Sequence, residues 1–166
     1  KKPNLKKYLK DKRKFPYKNI SIKEFYELNF PNINKLDDKN KNNLQLSPCG
    51  LYSITIKRDQ DKILLAIRKE IENINNIQIT DICGGNGIDA LNFITNNLAN
   101  KIVVYELEEG HRKIIYNNFK QYNLLNHIDI QNEFSINSKL DTNVAYVDPP
   151  WGGVEYEKGQ GTGEFK

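Results

Sequence analysis

The stretch Ile77-Gln78-Ile79-Thr80-Asp81-Ile82-Cys83-Gly84-Gly85-Asn86-Gly87 decides how this chain folds. Ile77 to Ile82 is a short run rich in β-branched residues, and it opens directly into a glycine cluster. Glycines at such a turn take φ > 0 and let a ligand come close to the backbone, while a helix start beyond them offers unpaired N–H groups. The spacing predicts that helix over about Ile88 to Asn97. Turns of this kind hold dinucleotides, nucleotides or S-adenosylmethionine, and some only reverse the chain.

Outward from that unit, strand and helix keep alternating. Ile102 to Glu106 reads as a second strand, and Glu109 to Tyr122 as a helix with Ile114, Ile115, Phe119 and Tyr122 inward. His127 to Ile130 and Asn143 to Val147 read as two more short strands. Strands separated by helices pair in parallel through right-handed crossovers, so the expected fold is an open, mostly parallel, Rossmann-like α/β sheet. Upstream, Ser47-Pro48-Cys49-Gly50 is a turn and Leu51 to Ile56 an apolar run. A helix from about Asp59 then puts Ile63, Leu64, Ile67, Ile71 and Ile74 on one face. Nearer the start, Ser21 and Glu24 form a capping box for a short helix bearing Ile22, Phe25, Tyr26 and Phe30. Pro31 ends that helix, and Asn32 to Asn43 reads as a loop. These features divide the chain into an arm with one short helix, residues 1–46, and a domain over residues 47–166.

A chain of 166 residues is of single-domain size and can bury a real core. Its 38% hydrophobic and 28% charged residues exclude a fibre, and no apolar run approaches the ~18 residues of a membrane span. No secretion signal opens it, which suits a nuclear or cytoplasmic setting, a viral one included. Cys49 and Cys83 make no disulfide framework. The chain has no Met and begins at Lys1, as a fragment or a processed form does. Lys1 to Lys18 hold nine basic residues against the single Asp11, a net of +8, which leaves −4 for the rest of a chain whose total is +4. Such an arm suits a polyanionic partner such as RNA, or is a solvated tail. Cys49, Cys83, His111 and His127 show no metal-ligand pattern, so no metal is expected; the two histidines read as ordinary surface residues.

Glu106 ends the second predicted strand, twenty-one residues after Gly85. An acid there can accept hydrogen bonds from both ribose hydroxyls of an adenosine moiety, in a nicotinamide cofactor or in S-adenosylmethionine. Glu108 and Glu109 follow at once and also suit an acidic first helical turn. Glu133, after the third strand, is placed to reach an adenine amino group. Beyond the fourth strand stands Val147-Asp148-Pro149-Pro150-Trp151-Gly152-Gly153. Two prolines stiffen the backbone, so the Asp148 carboxylate and the Pro149 carbonyl are presented rigidly to a ligand. Methyl transfer to an exocyclic amine needs such acceptors, because the nitrogen lone pair is otherwise delocalised into the ring. Trp151 offers a face on which a base can stack, and a cationic base gains a cation–π attraction as well. The bland account is a Pro-Pro turn beside a core Trp. A dehydrogenase has no use for this last motif.

Asp-Pro-Pro-Trp downstream of a glycine-rich first loop resembles the class I S-adenosylmethionine-dependent methyltransferases of exocyclic amines. Within those, Asp148 to Gly153 and the upstream Gly50-Leu51-Tyr52-Ser53-Ile54-Thr55 resemble the trimethylguanosine synthase family, cap-specific guanine-N2 methyltransferases acting on a 7-methylguanosine cap. The resemblance covers about Gly50 to Tyr156. It implies that Asp81, Gly85 and Gly87 hold the methionine end of S-adenosylmethionine, Glu106 its ribose and Glu133 its adenine, with Thr55 in the segment that closes over the cofactor. It implies Trp151 stacking on the methylated guanine, Asp148 and the Pro149 carbonyl holding the N2 amine, and Asn118 contacting substrate; Asn118 also fits an ordinary helix-surface amide. The partner implied is capped RNA, and the expected state is a monomer.

Three departures bear on this resemblance. Some cellular members carry Ser where Asp148 stands, so Asp148 also fits the N6-adenine or internal N2-guanine methyltransferases of nucleic acids. The family's aromatic and basic segment before Gly50 is not recognisable in Phe15 to Phe30. Only four of the seven strands of the class are visible, as if C-terminal strands were missing from this chain, which also fits a non-catalytic RNA-binding module on a methyltransferase fold.

Overall fold

Strand β1, Gln78–Asp81, lies between β2, Lys101–Tyr105, and β4, Val144–Tyr146, with β3, Ile128–Gln131, outside β2. Every pairing is parallel, and the order is β3-β2-β1-β4. The computed structural model describes residues 20–150 apart from 73, 136 and 139; the basic arm to residue 19 and the segment from Trp151 lie outside the described residues. The expected α/β sheet is present, with each strand end displaced by about one residue from its sequence reading. Because β1 is central, the chain runs to β2 on one side and to β4 on the other. A crevice must open where those two directions part, at the carboxyl ends of the strands.

The crossovers are helices α5, Ile88–Thr95, and α6, Glu109–Gln121. α5 buries Ala90, Leu91 and Phe93 completely, since the sheet covers one side and a further helix, α4 at Lys57–Glu70, packs on another. α6 contributes Ile115 and Phe119 to the same core as Ile79, Ile102 and Val104. Upstream, the capping box of α1, Ile22–Asn29, forms as expected, with Ser21 Oγ accepting from Glu24 N–H and the Glu24 carboxylate accepting from Ser21 N–H.

Two upstream readings are corrected. Asn32 to Asn43 is not a loop throughout: a 3₁₀ turn covers Ile33–Lys35, and Asp37 caps a short helix α2, Asp38–Asn42, by accepting from Asn40 N–H at 2.7 Å. The apolar run Leu51 to Ile56 splits into a helical turn α3, Gly50–Ser53, and an extended link to α4, which starts at Lys57 rather than Asp59. Phe25, Phe30, Ile33, Leu44 and Leu46 join the same hydrophobic core as the sheet, so the described part of the first 46 residues packs as one body with the rest.

The first two glycines after β1 have different reasons to be there. A Cβ on Gly84 would stand 2.2 Å from Val104 Cγ1 of β2, so the turn can hug the sheet only without a side chain. Gly85 has φ +51° and open space around it. Gly84→Ala should therefore cost about 2 kcal/mol or more through overpacking. Gly85→Ala should cost only about 1 kcal/mol of backbone strain. Urea unfolding of the two variants checks that order.

Candidate active site

Three strand ends meet around the glycine turn. Asp81 closes β1, Glu106 follows β2, and Tyr146 closes β4 opposite Asp81, with Asp148 two residues on. The turn is tied to both neighbours: Ile82 N–H donates to Tyr146 O and Gly84 N–H to Tyr105 O, each at 3.0 Å. The spacing of Gly85 and Glu106 has a direct structural counterpart. Gly85 N–H donates to Glu106 Oε2 at 2.7 Å, and Glu108 N–H to Glu106 Oε1 at 2.8 Å. Glu106 thus grips the glycine turn and the start of α6 together. Gly87, at φ +76°, sits immediately before α5. Glu133 lies exposed in the loop after β3, away from this cluster's hydrogen bonds, and Pro149 is exposed beside Asp148. Trp151 lies outside the described residues.

Electrostatically the site is short of positive charge. Burial pushes the Asp81 carboxyl up to about 8, and repulsion from Asp89, Asp148 and Glu106 adds to it against one opposing N–H from Cys83. Asp89, in the first turn of α5, is pushed up to about 6, chiefly by burial, with Thr55 and Tyr146 hydroxyls opposing. Asp148 is raised by partial desolvation, and the Cys83 thiol by burial and then by Asp81. Glu106 alone goes the other way: burial would raise it, but His111 and the two N–H donors outweigh that. His111 is itself raised to about 9, foremost by Glu106, whose Oε1 lies 3.6 Å from its Nδ1; Nε2 faces Cys49 Sγ at 3.4 Å. His111 is therefore an ionised partner of the site and not the ordinary surface histidine of the sequence reading. Among the described residues no group of three or more His, Cys, Asp or Glu is arranged to hold a metal ion.

Above the turn lies the segment from Asn43 to Thr55. Ser47 N–H donates to Asn86 Oδ1 at 2.7 Å, and Asn86 Nδ2 donates to Ser47 Oγ at 3.0 Å. Asn118, on α6, is fully buried; its Oδ1 accepts from Gln45 N–H and its Nδ2 donates to Gln45 O, at 2.9 and 2.8 Å. The structure thus places the expected substrate-contacting amide on the protein's own backbone, where it holds this segment down. Thr55 Oγ1 donates to Asp89 Oδ2 at 2.7 Å, bringing the expected cofactor segment onto the start of α5. Sequence reading missed Asp89, His111, Asn86 and Ser47. The one signal available was helical: His111 falls five residues after Glu106, in the first turn of α6.

The raised Asp81 pKa has a definite sign in the free protein. A carboxyl whose folded pKa lies above its unfolded value adds stability at low pH, and loses it as pH rises through the folded value. Asp81→Asn should therefore raise the melting temperature of the free protein near pH 8 and flatten its decline between about pH 4 and pH 8. Differential scanning calorimetry across that range measures both.

The family model described as RNA cap guanine-N2 methyltransferase matches residues 76–163, just over half of the chain. A curated relative, the release factor glutamine methyltransferase of Mycoplasma mycoides subsp. mycoides SC, is 24% identical over 102 residues, 59% of this chain and 36% of that protein's length. The chain thus spans little more than a third of that relative. Among solved structures, the hMettl16 catalytic domain in complex with the MAT2A 3′UTR hairpin 1 superposes with a TM-score of 0.57 at 17% identity, over 73% of this chain and 43% of that one. The human methyltransferase 10 domain containing protein superposes at 0.55 and 17%, over 65% and 53%. Those likenesses establish a Rossmann-like, class I methyltransferase fold. With the match running from just before β1 through Asp148-Pro149-Pro150-Trp151, the chain belongs to the RNA cap guanine-N2 methyltransferase family.

Proposed function

We propose that this chain carries the core of an S-adenosylmethionine-dependent methyltransferase that acts on the exocyclic N2 of the 7-methylguanosine cap of RNA. The observation that carries the reading is the charge deficit at the strand ends. Asp81, Asp89 and Asp148 repel one another there, and among the described residues no cation lowers any of them. Buried carboxylates are stable when they face a positive group. S-adenosylmethionine supplies a methyl group on a sulfonium centre and carries an ammonium besides, which matches that deficit.

Asp81 with the backbone at Gly85 and Gly87 would hold the methionine end. Glu106 is pre-set for a ribose: its two oxygens are aligned by Gly85 and Glu108 N–H and kept ionised by His111, and a carboxylate retains lone pairs for two hydroxyls. Glu133 would reach the adenine amino group, and Thr55 would close over the cofactor. Asp148 and the Pro149 carbonyl would accept the N2 protons, localising the nitrogen lone pair toward the methyl group. Trp151 would stack on the guanine, whose 7-methyl charge favours an aromatic face. Asn118 would serve this site through the segment it anchors. Catalysis of this kind is mostly positioning, and proton loss can follow the transfer.

Asp148-Pro149-Pro150 also suits other planar nitrogen acceptors, and the curated relative is named for glutamine methylation. An adenine N6 or internal guanine N2 of nucleic acid is therefore the second reading. A chain that binds RNA without catalysis is the third.

Methyl transfer from labelled S-adenosylmethionine to 7-methyl-GTP, GTP and an adenine-containing oligonucleotide separates the three. Label should appear on 7-methyl-GTP only. Trp151→Ala should lower kcat/KM for it by about ten- to a hundredfold, the worth of one stacked cationic base. Label on the oligonucleotide instead would transfer the chain to the second reading. No label with no cofactor binding would leave the third. Because Asp81 holds its proton in the free site, cofactor binding near pH 7 should also release protons, seen by calorimetry in buffers of different ionisation enthalpy.

A further inference from the structure

Asp89 is the second residue of α5, half-buried as a residue but with its carboxyl oxygen Oδ1 turned away from solvent. Its Oδ2 accepts the Thr55 hydroxyl at 2.7 Å. Its Oδ1 is buried and has no hydrogen-bond partner among the described residues. A buried carboxylate oxygen left bare costs free energy, so the fold keeps it against a penalty. The groups that face it are the Thr55 hydroxyl from the link between α3 and α4, the Tyr146 hydroxyl from β4, Asp148 beyond β4, and Asp81 of β1. None of them is a cation.

The consequence falls on Thr55. A hydroxyl has one proton, and here it is committed to Asp89. The neighbouring Tyr146 hydroxyl can then only donate to Thr55, so what Thr55 can still offer is its remaining lone pair. An ionised Asp89 thus makes Thr55 an acceptor only, backed by a full negative charge. A neutral residue at 89 would lift that constraint, because it could donate to Thr55 and turn the hydroxyl proton outward.

We propose that Asp89 is a positioning residue for the ammonium end of the cofactor: by taking the single proton of Thr55 it turns that hydroxyl into an obligate acceptor for a primary ammonium group. The inference rests on the S-adenosylmethionine reading and adds to it the oxygen that receives the α-amino group and the reason it can. Asn at position 89 keeps the size of the side chain but removes the charge and presents either a carbonyl or an NH₂ to Thr55. Val at position 55 removes the acceptor itself, whereas Ser keeps it.

The test is calorimetric binding of S-adenosylhomocysteine, and of its analogue lacking the α-amino group, to the full chain and to Asp89→Asn, Thr55→Val and Thr55→Ser. Asp89→Asn and Thr55→Val should each weaken S-adenosylhomocysteine about tenfold, the scale of one charge-assisted hydrogen bond, and leave the analogue nearly unaffected. Thr55→Ser should bind like the parent chain. Protonation of Asp89 should weaken the parent as pH falls through about 6, and that step should be absent in Asp89→Asn. The rise toward pH 8 belongs to Asp81 and should remain in both. Equal loss of both ligands in Asp89→Asn, or no loss of either, would overturn the inference while leaving the cofactor reading intact. Failure of the parent chain to bind S-adenosylhomocysteine at all would overturn the cofactor reading together with it. Thr55→Val decides the matter if Asp89→Asn does not fold.

Discussion

Negative charge held where the sheet is least able to tolerate it is the constraint on which this site depends. Asp81 ends the central strand, its residue is 2% exposed, and its carboxyl meets one backbone N–H and three other acids. Nothing in the packing of the core requires an acid there; Ile79 and Thr80 beside it are buried without one. Desolvation without a compensating cation is unfavourable, so the free protein keeps a proton on Asp81 near neutral pH. A site built this way is less stable empty than a neutral one would be. It gains when a cation arrives, because burial then strengthens the attraction instead of opposing it.

Glu106, a carboxylate at the neighbouring strand end, shows the opposite treatment. It is partly buried too, yet His111 and two N–H donors satisfy it, and its pKa falls. The contrast separates two tasks. On the proposed reading, the acid that accepts hydrogen bonds from neutral ribose hydroxyls must stay ionised before the ligand comes, and it has its own cation in His111. On the same reading, the acids that would meet the charged end of the cofactor are left without one. Paired environments that push carboxyls apart are the usual mark of divided roles in a ligand site.

The parts of this arrangement that were legible in the sequence are those with local periodic or compositional signals. Alternating apolar runs and helical faces located the four strands of the described residues and the crossovers, and strand-to-helix glycines marked the turn. Glu106 was found because its distance from Gly85 matches one crossover, and the two do meet. What was not legible depends on contacts between distant segments. Asn86 looks like one more polar residue in an Asn-rich chain, and Asn118, expected to contact substrate or to lie on a helix surface, gave no sign of its backbone partner, although each is buried and bridges to Ser47 or Gln45. Asp89 carries no signal of its own in the sequence, and only the fold brings Thr55 and Tyr146 against it. The short helix after Asp37 was missed for a different reason, since its five residues carry no apolar face.

The buried asparagines explain how a chain segment outside the sheet becomes part of the site. Residues 43–50 have few apolar anchors of their own, chiefly Leu44 and Leu46. Two hydrogen bonds from each amide, one given and one accepted, fix the backbone of Gln45 and the position of Ser47 relative to the glycine turn and α6. Gly50 completes the fit, since a Cβ there would lie 2.6 Å from Asn86 Nδ2. Each amide has both its oxygen and its nitrogen engaged, so neither can shift toward a ligand without leaving a buried donor or acceptor unpaired, which costs ~1–3 kcal/mol per group. The turn, the covering segment and α6 are thereby held in register before any ligand binds. A site whose chemistry is mostly positioning needs that rigidity more than it needs another functional group.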